Sequence, residues 1–279
     1  MRPLYVIDNL ITDKTITHRT EDPLYVAENL YNERPSLPYR TESKLVPEWV
    51  CVNMGGITEV TFVGLFNHNL TTTPTLLQLC GGNACGVCTE VTDLTDPPAG
   101  CPAELCGSQP TANFRNTWAK VDTADYQFWT LQITDNPTEA YLEIGEWVLG
   151  TWSQFTRGAN VWVRLSPGRD DGPEFFMGKD STHWGQDWST YYSECDKLDL
   201  KFTVQNDPCI VDEMQTFLKA VQRVGGRFVI VPDDEKPFCY YVTVENLRDF
   251  AERKIYGRTG ELREWRLRLK SLTEGVVLL

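Results

Sequence analysis

Two strand-like runs, residues 54–70 and 129–150, bracket a stretch that holds five cysteines between Cys80 and Cys106. This arrangement limits the chain to folds in which sheet elements close around, or are interrupted by, a segment without apolar periodicity. In the first run, residues 60–65 are continuously strand-forming. In the second, Trp129, Leu131 and Ile133 alternate onto one face, and residues 141–144 and 147–149 add further strands that end at Gly150. A short strand over 49–53 precedes the first run, with Gly55-Gly56 read as its turn. From Cys80 to Cys106 the composition turns to Gly, Pro, Asp, Thr and Cys, which predicts a loop or small insert and no sheet element.

The rest of the chain falls on either side of this core. Pro3, Pro23, Pro35 and Pro38 break any helix across residues 1–45, so an extended N-terminal segment is expected there. After Gly150, residues 161–165 read as a strand. Leu198, Leu200, Phe202 and Val204 alternate with Asp199, Lys201 and Thr203 as a half-buried one. One helix is predicted over about 208–224: Asp207 is its N-cap and Pro208 its first residue. Ile210, Met214, Phe217, Leu218 and Val221 form its apolar stripe, and Gly225-Gly226 ends it. Strands follow at 227–231, 239–244 and 262–269, the last with Trp265, Leu267 and Leu269 inward and Glu264, Arg266 and Arg268 outward. The expected architecture is mainly β. An antiparallel sandwich over 46–150, with its insert at about 80–117, is followed over 151–279 by a curled antiparallel sheet carrying one helix.

Charge narrows the function. There are 39 acidic against 26 basic residues, a formal net charge of −13, and such a surface repels nucleic acid. Cations do gather locally: residues 248–270 hold eight Lys or Arg and four Asp or Glu. Arg253, Lys254, Arg258, Arg263, Arg266 and Arg268 are therefore candidates for a docking face, a solvated strand surface being the plainer account. No apolar run reaches membrane-spanning length and the first residues carry no h-region. The expectation is a soluble protein made in a cytoplasm, where cysteines begin as thiols.

In their joint order these signals resemble a galactose-binding-like, or discoidin-like, jelly-roll sandwich: a strand closing on Met54-Gly55-Gly56, another running into Asn67-His68-Asn69-Leu70, then 129–135 and 141–150. Joined to the C-terminal half, the pattern is similar to tailed-phage distal-tail proteins, in which such a sandwich accompanies a tail-tube-like β-barrel with one flanking helix. The resemblance implies a structural virion protein of the tail tip or baseplate, assembled as a hexameric ring and joining the tail tube to the host-recognition apparatus. Its partners would be further copies of itself, the tail tube, the tail hub and fibres, with DNA a transient passenger. The alternative is a carbohydrate-binding module that attaches to a host surface through the sandwich rim.

Candidate sites are few. The spacing Cys80-x4-Cys85-x2-Cys88-x12-Cys101-x4-Cys106 accommodates a structural zinc site, and its first part matches the plant-type iron–sulfur pattern. Disulfides or free thiols are the plainer reading. Asn67, His68 and Asn69 could touch a sugar or a metal from a rim loop, or could satisfy the strand end through side-chain-to-backbone hydrogen bonds, the reading we favour. His183 lies in an aromatic and polar loop read as a hairpin. With three histidines, no Gly-x-Ser-x-Gly and no His-Glu-x-x-His, catalytic templates fail. Gly172 to Ser181 has five residues between its glycines where a phosphate loop needs four, and an enzyme is not expected.

Overall fold

The computed structural model describes residues 3–43, 47–70, 76–94, 116–134, 140–155, 174–181, 187–195, 197–205, 208–231, 239–245, 253–257 and 260–272. It is mainly β and antiparallel, with two large sheets and one α-helix.

Sheet I is built on two strands of 19 residues each, β4 (Glu48–Phe66) and β7 (Asn116–Thr134), which pair along their length. β2 (Thr15–His18) pairs the first half of β4, and β9 (Glu146–Gly150) pairs the second. On the far side of β7 lie β5 (Leu76–Gly82) and β6 (Glu90–Asp93). Two expectations are corrected here. The strands expected at 49–53 and 60–65 are one continuous strand. Gly55-Gly56 is an outward bulge in it, where the register shifts between Asn53 and Thr58. Gly55 sits at φ +80° and its amide is capped by Asn53 Oδ1 at 2.9 Å. A glycine there satisfies a left-handed position without turning the chain back. Second, part of the cysteine-rich stretch is sheet: β5 and β6 form a hairpin, and Cys80 is fully buried within β5.

Sheet II runs β10 (Ser153–Gln154), β1 (Leu4–Val6), β14 (Arg227–Val231), β15 (Tyr240–Val244), β17 (Gly260–Ser271) and β13 (Lys197–Gln205), with β16 (Arg253–Gly257) also on β17. The start of the chain enters this sheet, with β1 between β10 and β14. Its neighbour segments form a 3₁₀ turn over Ala27–Tyr31 and β3 (Tyr39–Arg40), which pairs β8 (Glu143–Ile144). Among the described residues no strand pairing closes sheet II into a barrel. β11 (Glu174–Ser181) and β12 (Asp187–Cys195) form a separate two-stranded ribbon. Residues 161–165, the His183 loop and Asp207 lie outside the described residues.

The helix, α1 (Pro208–Arg223), matches its expected span. Val211, Met214, Phe217 and Val221 are buried against Phe228, Ile230, Tyr240, Val242, Leu267 and Leu269 of sheet II. It ends in a Schellman arrangement: Gly226 N–H donates to Val221 O at 2.9 Å and Gly225 N–H to Gln222 O at 3.2 Å, with Gly225 at φ +71°.

The opposite face of sheet II meets sheet I. Leu4, Val6, Val229, Val231 and Tyr241 pack on Phe62, Phe66, Trp118 and Val148. Phe62 stacks on Trp118 with ring centroids 6.0 Å apart, and Phe66 approaches Tyr241 at 5.7 Å. Burial on both faces explains why residues 60–66 do not alternate. Phe62 and Phe66 enter this seam, while Val63 and Leu65 enter the core on the other side of sheet I with Val50, Val52, Leu79, Trp129, Leu131 and Trp147. Gly150 permits the close approach: a Cβ there would stand 2.4 Å from Val6 Cγ1 and 2.9 Å from the Asp8 carbonyl oxygen.

Candidate binding face

The turn at Asn67-His68-Asn69 is internal. Asn67, at φ +51°, donates from Nδ2 to Pro35 O at 2.7 Å, and its amide donates to Asn116 Oδ1 at 3.1 Å. His68 is buried with Nε2 3.0 Å from Thr117 Oγ1. Asn69 donates to Tyr141 O at 3.0 Å and accepts from the Glu143 amide at 2.7 Å. These contacts hold the strand end by side-chain-to-backbone bonds, and an outward ligand-binding triplet is not what they form. Asn116 extends the network across the seam, donating to Cys239 O at 3.1 Å.

The cysteines are joined in a way that no spacing argument reveals. Cys51, from outside the cluster, bonds Cys85, and Cys80 bonds Cys88. Cys80, Cys85 and Cys88 therefore offer no thiolate to zinc or to an iron–sulfur cluster in this structure. Cys101 and Cys106 lie outside the described residues. The reason for the pairing is register. Cys51 on β4 and Cys80 on β5 both stand opposite Thr130 of the intervening β7. Two cysteines flanking one strand are too far apart to bond each other. Each instead takes a partner from the loop over 83–88, whose Gly86 amide donates to Thr130 Oγ1 at 3.1 Å. The loop is thus stapled across the middle of sheet I.

That loop divides an open face. On one side lies the cross-strand row Trp49, Gln132 and Gln78, all half-buried. On the other lies Asn53 opposite Phe128, also half-buried. Val87 on the loop and Val91 on β6 are 50% and 46% exposed, and Ile57 on the β4 bulge is 79% exposed. Gln132 Nε2 lies 3.3 Å from Cys88 Sγ. Adjacent strands are ~4.8 Å apart, so Trp49, Gln132 and Gln78 span about 10 Å in a nearly flat row. An aromatic ring beside two amides offers an apolar stacking surface with donors and acceptors next to it. The sheet I residues that meet sheet II, Phe62, Phe66, Trp118 and Val148, are at the other end, which leaves this face clear of the seam. Sequence reasoning missed it because Trp49 and Gln132 are 83 positions apart and only register unites them.

Five of the six basic residues lie on the paired strands β16 and β17. On β17, Arg263 has the strand parity of the buried Leu267 and Leu269, whereas Arg266 has that of the exposed Arg268. Lys254 stands opposite Arg263, and Arg253 opposite Glu264. Arg258 lies outside the described residues.

A second polar feature sits where the N-terminal segment crosses the seam. A pocket of about 400 Å³ is lined by residues that include Asp8, Asn9, Glu33, Arg223, Arg227 and Tyr241. Arg223 Nη2 holds both Asp8 carboxylate oxygens, at 2.9 and 2.7 Å, and Arg227 pairs with Glu33. Beside it Glu146 is fully buried. Burial above all, then the charge of Glu33, pushes its carboxyl up to about 9. The Glu33 backbone, the Asn9 side chain and Arg227 offset this only in part.

No protein-family profile matches the chain, and no curated protein matches it. Solved structures align with about half of it. Chitosan-binding module 1 from a Paenibacillus sp. IK-5 chitosanase/glucanase shares 16% identity over 52% of this chain and 99% of the module, with a TM-score of 0.41. The lectin domain of lectinolysin, solved with Lewis B antigen, shares 12% over 51% and 95%, at 0.39. A Streptococcus pneumoniae fucose-binding module shares 9% over 52% and 99%, at 0.39. The fold itself defines a mainly β protein, an antiparallel sandwich of two sheets with one helix on its outer side.

Proposed function

We propose that this protein is a non-enzymatic binding module that attaches to a polysaccharide through the disulfide-stapled face of sheet I. The observation that carries this reading is the row Trp49, Gln132 and Gln78, open on a sheet that its strand pairing and two disulfides hold rigid. Sugar rings present apolar C–H faces and a rim of hydroxyls, and an aromatic beside amides complements both. A rigid face also loses little conformational freedom on binding. Two disulfides suit an extracellular working place, such as a virion or a cell surface.

Affinity electrophoresis through gels containing neutral and amino polysaccharides tests this proposal. Retardation by at least one polysaccharide is expected. It should be lost in Trp49→Ala and kept in Asn69→Ala, provided that variant is folded. Binding that survives Trp49→Ala would move the site elsewhere, and no retardation by any polysaccharide would overturn the reading.

A second reading, the ring-forming phage-tail subunit, draws support from the ribbon of β11 and β12, which pairs with no other strand among the described residues. Two-stranded ribbons are marginal alone and gain stability by packing on a partner. Closed rings in negative-stain images would favour it. A strictly monomeric protein at high concentration would remove it.

A further inference from the structure

We propose that the row beside the stapled loop recognises an internal stretch of an extended, unbranched β-1,4-linked chain of neutral hexoses, laid across the strands with one sugar over each. The inference rests on the polysaccharide reading and narrows it to an orientation and a ligand class. The row is longer than Trp49, Gln132 and Gln78. Just past β2 the Arg19 amide donates to Trp49 O at 3.1 Å, so Arg19 stands opposite Trp49, one position on from the His18–Val50 pair. Arg19 is exposed, with the parity of the exposed Thr15 and Thr17, and its guanidinium donates to Pro47 O, which ties it down beside the row. Arg19, Trp49, Gln132 and Gln78 therefore stand in line on four adjacent strands, over roughly 14 Å.

The row on the other side of the loop is shorter. It runs from Thr15 through Asn53 and Phe128 to Gly82. At Gly82 an added Cβ would run into the Val87 carbonyl oxygen, so the loop itself closes that end. Beside the first row the loop reaches Gln132 through Cys88 Sγ, and Gln78 stays half-buried on the next strand. A closed pocket grips a chain end, whereas a line of contacts starting at the sheet edge admits a chain that continues past it. Strand spacing of ~4.8 Å is close to the length of one pyranose along an extended chain. The sheet twists by roughly 20–25° from strand to strand, which an extended β-linked ribbon can follow and a coiled α-linked chain cannot. Trp49 offers a stacking face, and the two amides and the guanidinium offer hydrogen bonds to ring hydroxyls. Charge selects a neutral chain: Arg19 repels an amino sugar, and the net charge of −13 repels a polyuronate.

Calorimetric titration of the full chain tests this with cello-, β-manno- and N-acetylchito-oligosaccharides from monosaccharide to hexasaccharide, against malto-oligosaccharides of the same lengths. In at least one β-1,4 series the affinity should rise about fivefold per added sugar, the worth of one net hydrogen bond, and level off at the tetrasaccharide. The malto series should not bind. Arg19→Ala and Gln78→Ala, at the two ends of the row, should each lower tetrasaccharide affinity by a larger factor than disaccharide affinity. Should either variant not fold, the wild-type length series decides the matter. A monosaccharide binding as tightly as the tetrasaccharide would overturn the inference, as would equal binding of the malto series or an equal loss at both lengths. So would the absence of oligosaccharide binding by a protein that a polysaccharide gel still retards. Each of these outcomes leaves the polysaccharide reading standing; only the loss of all retardation removes both.

Discussion

Removing the two disulfides separately should destabilise the protein unequally, by amounts set by the chain each one closes. Cys51–Cys85 closes 34 positions and Cys80–Cys88 closes 8. Loop-closure entropy then gives about 3.8 kcal/mol for the first and about 2.5 kcal/mol for the second at 25 °C. The spans overlap, because Cys80 lies inside the first and Cys88 outside it, so losing both should cost less than the sum. The comparison is clean because Cys51 and Cys80 are equally buried on either side of Thr130, and alanine leaves a similar small void in each case. Urea unfolding followed by tryptophan fluorescence, on Cys51→Ala/Cys85→Ala and Cys80→Ala/Cys88→Ala, should rank the first pair about 1.3 kcal/mol below the second, roughly a tenfold difference in equilibrium constant. A reversed order would refute the reasoning, as would a wild-type protein whose midpoint is unchanged by a thiol reductant. The loop over 83–88 exposes most of its residues, so reduction should release it and also weaken polysaccharide binding next to Gln132.

Other perturbations probe the seam. Phe66→Ala removes a fully buried ring between the sheets and should cost ~3–5 kcal/mol in the same urea assay; a loss under about 1 kcal/mol would mean the sheets do not pack as described. Gly150→Ala should destabilise although it adds only a methyl, because the new carbon would stand 2.9 Å from the Asp8 carbonyl oxygen on β1's continuation. An unchanged melting temperature would contradict that approach. Glu146 binds its proton more tightly folded than unfolded, its folded value of about 9 lying above the ordinary carboxylate value of 4.5. Its contribution to stability is therefore complete below about 4.5 and is lost as pH rises toward 9. Glu146→Gln should flatten the fall in melting temperature between pH 5 and pH 9, and parallel profiles would disprove the shift.

What the sequence revealed was local. The helix was legible because Pro208, the Met214, Phe217 and Val221 stripe and Gly225-Gly226 act within a few residues of one another. The alternation through Leu267, Arg268 and Leu269 was legible for the same reason. The continuity of β4 was hidden because a glycine pair marks a turn and a bulge alike, and register against β7 decides between them. β1 has three residues and pairs a strand more than 220 positions away, so nothing near it announces its sheet. The cysteine pairing and the row beside Trp49 depend on that same register. Glu146 fell between the strands expected at 141–144 and 147–149 and drew no reading; burial makes it the most perturbed carboxyl among the described residues.

β4 performs two roles along one strand. Past the bulge, residues 62–66 are paired on both edges, by β7 and β9, and buried on both faces, so that half is anchored to sheet II and gives up no surface. Before the bulge, residues 50–53 are again paired on both edges, by β2 and β7, but only Val50 and Val52 of these face the core. Trp49 and Asn53 are left toward solvent by parity, with Cys51 between them fixed to the stapled loop. Without that loop, sheet I would offer a broad mixed face of exposed apolar and amide groups, the kind of surface that recruits unintended partners. The staple covers Thr130 and narrows the face to two troughs. A short tie between Cys80 and Cys88 and a longer one back to Cys51 therefore do more than stabilise: they set the width of the surface that a ligand meets.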